Sequence, residues 1–137
     1  MGQGFTGAPA TAANNDIEGF NVAFTRDMAL ASGTQAVTGV GFEPRFIIML
    51  MTISGAVAGI ASWGFSSGLG EDTATWDNHN STADSYGTGT VFVKGQTSGG
   101  VHYAGSLLSF DSDGFTITWT RTGAPTGVLQ MMAQCVR

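Results

Sequence analysis

Side chains along most of this sequence repeat with a period of two, and that repeat constrains the fold more than any motif does. In 113–121, DGFTITWTR, Phe115, Ile117 and Trp119 fall on one face and Thr116, Thr118 and Thr120 on the other. Successive side chains of an extended strand point to opposite sides, whereas a helix needs apolar residues three to four apart. Aromatic and β-branched residues also suit a pleated, half-buried surface. The same alternation runs through 19–25, where Phe20, Val22 and Phe24 oppose Asn21, Ala23 and Thr25. In 127–137, Leu129, Met131, Ala133 and Cys135 share one face, and Val128, Gln130, Met132, Gln134 and Val136 share the other. That second face is too apolar for simple contact with water and is expected to be partly covered.

Further strands are expected at 35–42, 90–94 and 101–110, separated by clusters such as SGTQ, GQTSGG and RTGAPTG. Gly, Ser, Thr and Pro in these clusters are turn chemistry. The nearest approach to a helical stripe, RDMALASG at 26–33, is short and is stopped by Gly33. Eight or nine short strands without helices imply an all-β fold, an antiparallel β-sandwich expected to be jelly-roll-like. It occupies 17–137 as one domain, behind a flexible N-terminal arm at 1–16 whose MGQGFTGAPATAANN is rich in small and polar residues. The arm lacks the basic and long apolar regions of a secretory signal. Its Gly2 and Thr6 match the myristoylation pattern only at the level of a short coincidence.

The longest uncharged stretch, 46–65, reads FIIMLMTISGAVAGIASWGF, with 14 apolar residues in 20. Its length fits a membrane helix. Its pattern does not: Ser54-Gly55 interrupts it, the following half alternates, and the first charges after Phe65 are the acidic Glu71 and Asp72 rather than basic anchors. Two strands joined by a turn near 54–56 are expected, with no membrane span. The first is apolar on both faces, Phe46, Ile48, Leu50 and Thr52 against Ile47, Met49, Met51 and Ile53. One set fills the core and the other needs a cover, either a second layer of the same chain or a neighbouring subunit. Ile47, Met49, Met51 and Ile53, with Met132 and the arm residue Phe5, are the expected subunit or capsid contacts.

A chemical site is hard to assemble from this sequence. Ten acidic and five basic residues give a net charge of −5, which argues against a surface that tracks nucleic-acid phosphates. Cys135 is the single cysteine, so no intrachain disulfide or multi-cysteine metal site can form. Nucleophile elbow, P-loop and dinucleotide patterns do not occur. The most polar segment, 68–90, is expected to be a long surface loop. It gathers Trp76, Asp77, Asn78, His79, Asn80 and Tyr86, residue types that could stack on a sugar ring and accept from its hydroxyls. Asp111-Ser112-Asp113-Gly114 resembles half a calcium loop but lacks the closing Glu, and Asp-Gly before an alternating strand is a hairpin turn. The expectation is a non-enzymatic protein with no cofactor and no metal.

The segments TGVGFEPRFIIML at 38–50, WGF at 63–65, DSDGFTITW at 111–119 and GVLQMMA at 127–133 together resemble a β-rich domain of structural proteins in tailed bacteriophages and prophages. In that family a G-F-x-P-[KR] turn leads into an apolar strand, and a D-G-F-x-[IL]-x-W strand follows late in the chain. The resemblance covers 35–137 and rests on turns and strands, so no functional residue transfers with it. It implies a virion component. A short single domain with an arm and an apolar face to share is similar to small capsid decoration, or cement, proteins. These sit on the capsid surface, contact the major capsid protein and copies of themselves, commonly as homotrimers, and are made in the host cytoplasm. The alternative is a carbohydrate-binding or host-recognition module of a phage tail or fibre, with a glycan as partner at the 68–90 segment.

Overall fold

The alternating segments become ten antiparallel strands in the computed structural model, which describes residues 18–54, 60–79, 82–98 and 100–137, with the backbone alone for 74–79 and 82–88. In chain order they are β1 (Gly19–Asp27), β2 (Gly33–Thr38), β3 (Phe46–Ser54), β4 (Ile60–Ser66), β5 (Glu71–His79), β6 (Thr82–Thr88), β7 (Val93–Ser98), β8 (Val101–Asp111), β9 (Gly114–Thr122) and β10 (Val128–Val136). Six form one sheet in the order β1-β10-β3-β4-β5-β6, and four form a second in the order β2-β9-β8-β7. The protein is therefore an all-β sandwich. Strands β3 to β6 and β7 to β9 run as two meanders, where a jelly roll interleaves two Greek keys. No helix occurs among the described residues, and none is long and apolar enough to cross a membrane.

The arm at 1–16, with Phe5 and Gly2, lies outside the described residues, as does most of the turn expected at 54–56. The expected loop at 68–90 is instead largely a hairpin, β5 and β6, that extends the six-stranded sheet. Its sequence hides this because its residues do not alternate apolar with polar; strand β4 supplies the pairing edge through Ser66↔Glu71 to Ile60↔Asp77. The segment at 26–33 turns rather than coils, with Met28 fully buried in the core.

Register decides which side of each strand enters the core. Strands β3 and β10 pair Ile47 with Cys135, Met49 with Ala133, Met51 with Met131 and Ile53 with Leu129. All eight are buried against Phe115, Ile117 and Trp119 of β9 and Tyr103 of β8. Each large apolar side chain so buried contributes about 1.5–3 kcal/mol before chain entropy is subtracted. Ile47, Met49, Met51 and Ile53 are thus core residues and not contact residues, because their register partners are the inward residues of β10.

Two motifs of the sequence meet in space. The turn before β9 carries Asp113, whose carboxylate accepts the amides of Gly39 at 3.0 Å and Gly41 at 2.7 Å. Both glycines adopt a φ of 86°, a left-handed conformation that turns their amides toward one anion. Asp111 accepts hydroxyls from Ser109 and Thr116, each at 2.7 Å, which hold its carboxyl below the ordinary range. The calcium-like pair is occupied in fastening turns.

Candidate functional site: the outer face of the six-stranded sheet

Strand β4 reads Ile60-Ala61-Ser62-Trp63-Gly64-Phe65-Ser66, and hydrophobic patterning alone would turn Trp63 and Phe65 inward. The structure does the reverse. Ser62 and Ser66 are buried at 2% and 0% exposure, while Trp63 and Phe65 stand in solvent at 48% and 43%. The inner side of β4 is small because the opposing sheet comes close there: a Cβ on Gly64 would lie 2.2 Å from the carbonyl oxygen of Phe92. The inward serines are used as polar fasteners. Ser62 Oγ accepts the amide of Lys94 at 3.3 Å, and Ser66 Oγ accepts that of Gly68 at 3.4 Å.

The same parity runs across the neighbouring strands. Met132 on β10 pairs with Leu50 on β3, which pairs with Trp63 on β4. One step along, Gln134, Ile48 and Phe65 form a second row, and Phe46 stacks on Phe65 with ring centroids 5.8 Å apart. Leu50 is 49% and Met132 47% exposed. Roughly half of each of five large side chains meets solvent, on the order of 500 Å² together, an area at which apolar patches often mark contact sites. Thirteen residues of β10, β3 and β4 point outward; nine are apolar, four are Gln, Thr or Ser, and none is charged.

This face has relief. On one side of the Met132–Leu50–Trp63 row lies a row of smaller or flatter residues, Thr25, Gln130, Thr52 and Ala61, paired in register across β1, β10, β3 and β4. An open trough of about 610 Å³ lies along it, walled by Leu50, Trp63 and Met132. A second depression of about 450 Å³ follows on the other side, bounded by Phe46, Ile48, Trp63 and Phe65. The trough floor is tied down: Thr52 Oγ1 donates to the carbonyl of Ile60 at 3.1 Å, and Gln130 Nε2 donates to Ser54 Oγ at 3.3 Å.

Among the residues singled out from sequence, Met132 lies on this face. Trp76, Asp77, Asn78 and His79 lie on β5 and Tyr86 on β6, with the backbones of Trp76 opposite Ser85 and of Tyr86 opposite Thr75; Asn80 lies outside the described residues. The sequence missed Leu50, Trp63 and Phe65 as surface residues. Their signal was available only through register, once Met131 of β10 was set opposite Met51. No match to this chain was found among protein-family models, curated proteins or solved structures.

The titratable groups do not converge. Among the described residues, no three His, Cys, Asp or Glu side chains form a group that could hold a metal ion. Cys135 is fully buried and its thiol is pushed up to about 11 by burial, so it stays protonated at neutral pH. His102 belongs to the other sheet, and burial together with the Lys94 charge lowers its pKa.

Glu71 carries the one carboxyl raised by its surroundings among the described residues. Burial raises it above 4.5, although its Oε1 accepts the amide of Leu107 and the hydroxyl of Ser66. A carboxyl raised in the folded state binds protons there that the unfolded chain has already released. Stability therefore falls as pH rises from the unfolded value through the folded one. Glu71→Gln keeps an oxygen acceptor for both donors and removes the ionisation. The variant should be at least as stable as the parent at pH 7, with the difference shrinking below about pH 4.5. Urea midpoints at pH 4 and pH 7 check this.

Proposed function

We propose that this chain is a non-enzymatic structural protein of a virion, a capsid decoration or cement protein that acts on the capsid surface with the major capsid protein and copies of itself as partners. The observation that carries the reading is a β-strand with serine and glycine on its core side and Trp63 and Phe65 in solvent, within a broad uncharged sheet face. Such a face serves contact rather than turnover. The resemblance of 38–50, 63–65 and 111–119 to β-rich phage structural domains supplies the virion context.

The mechanism is burial of apolar area repeated over a lattice. At about 25 cal/mol per Å², an apolar patch of on the order of 500 Å² offers roughly 12 kcal/mol gross, most of which the cost of association removes. Individual contacts are therefore modest, and their repetition makes the attachment firm. In this reading residues 1–16 reach the lattice and the sandwich braces its neighbours. Deletion of residues 1–15 should lower occupancy on purified particles several-fold while leaving the thermal unfolding of the domain unchanged. Immunogold labelling that finds no copy of the chain on particle surfaces would sink the proposal.

A further inference from the structure

We infer that the outer face of the six-stranded sheet pairs with the same face of a second copy about a two-fold axis, the bulky row of each copy seated in the trough of the other. The relief described above carries the inference. Met132, Leu50 and Trp63 form a ridge across the strands, and Gln130, Thr52 and Ala61 form the adjacent trough floor, two residues away along each strand. Place a two-fold axis in the plane of contact, perpendicular to the strands and midway between the rows. Rotation then carries the ridge of one copy over the trough of the other. Leu50 meets Thr52, Trp63 meets Ala61 and Met132 meets Gln130 of the second copy, and the reciprocal contacts follow by symmetry.

Packed this way, the two sheets run antiparallel with their twist taken up at roughly −30° and about 10 Å between them, an ordinary aligned packing of two sheets. Charge selects the occupant. Each chain carries −5, yet the thirteen outward positions of β10, β3 and β4 hold no charge, and acidic residues begin only on the flanking strands with Asp27 and Asp72. Two copies can therefore meet without like-charge repulsion at the contact. Charge depletion and a high apolar share are the composition of self-associating interfaces, whereas a foreign partner is more often steered by complementary charge. The apolar patch of on the order of 500 Å², with its polar margin, approaches the roughly 800 Å² per partner of a stable complex. The 1–16 segment is a poorer cover, because Met1 and Phe5 are its only large apolar residues.

The test uses the purified full chain, so it does not depend on the virion assignment: a dimer absent from particles overturns that reading and leaves this one standing. Light scattering at tens of micromolar should give twice the chain mass. Leu50→Glu, which buries a charge in the contact, and Ala61→Trp, which fills the trough, should each weaken pairing by at least about 100-fold with the far-UV spectrum unchanged. Thr52→Cys keeps a small residue on the trough floor. A short bismaleimide spanning roughly the 10 Å between packed sheets should join two such chains and no more. The parent chain, whose Cys135 is fully buried, should not cross-link. A monomeric parent, a trimer, or a dimer indifferent to both Leu50→Glu and Ala61→Trp overturns the inference. If either variant fails to fold, the Thr52→Cys cross-link decides.

Discussion

Gly64→Ala is expected to destabilise the sandwich by about 3 kcal/mol or more, a large fraction of the roughly 5–15 kcal/mol by which a domain is ordinarily stable. The added Cβ would lie 2.2 Å from the carbonyl oxygen of Phe92 and 2.5 Å from that of Asp72. Both atoms belong to backbone, so no rotamer change relieves the clash. Phe92 itself is fully buried and its amide donates to Gly105 at 3.0 Å, which ties that stretch to β8. Relief therefore requires moving the Phe92 backbone away from β4 and also shifting the Asp72 backbone of neighbouring β5, with loss of contact among the core residues and of β4–β5 pairing. Gly33→Ala is the matched control, since nothing lies within 4 Å of its Cβ position and its φ is not in the left-handed region. That variant should unfold within about 0.5 kcal/mol of the parent or slightly above it. Chemical denaturation of both proteins separates the two outcomes, and a Gly64→Ala midpoint equal to that of Gly33→Ala would refute the close approach.

The same glycine bears on function. With Gly64 the only residue small enough to face Phe92, the parity of β4 is fixed, and Trp63 and Phe65 must point outward. Packing inside the molecule thus produces the surface proposed for contact.

Strand existence was legible where alternation was strong, as in β1, β9 and β10, and in β3 from its short unbroken run of bulky apolar residues. Parity was legible only for strands with one polar face. For β3, apolar on both sides, the inward set depended on pairing with β10; for β4, the tight approach at Gly64 reversed what side-chain size suggests. These are long-range facts that no local window of sequence holds. The hairpin β5–β6 was hidden for a related reason, since EDTATWDNH owes its strand to the edge of β4 more than to its own pattern. The two turn motifs at 38–44 and 111–114 are far apart in sequence, and their contact through Asp113 was likewise not legible in either segment alone.

Trp119→Ala should cost about 3–5 kcal/mol, the range for removing a fully buried aromatic side chain. Trp119 is 1% exposed, its ring lies 5.3 Å from that of Tyr103, and its Cζ3 fills the space beside Gly105. Its role extends beyond volume. The indole Nε1 donates to Gln35 Oε1 at 3.0 Å, and Gln35 Nε2 donates to the carbonyl of Thr25 at 3.0 Å. Gln35 lies on β2 of one sheet and Thr25 on β1 of the other, so the indole holds the amide that bridges the two edges of the sandwich. Trp119→Phe keeps most of the packing and breaks that chain, with an expected loss nearer 1–2 kcal/mol. The two variants therefore apportion the effect between packing and hydrogen bonding. Fluorescence offers a second readout: Trp119 should emit at short wavelength and resist acrylamide, whereas Trp63 is open to the quencher unless the outer face is covered. With the third tryptophan removed by Trp76→Phe, loss of the shielded component in Trp119→Phe, with Trp63 protected at concentrations where chains pair and quenched where they do not, would separate the tryptophan that builds the fold from the one that joins two copies.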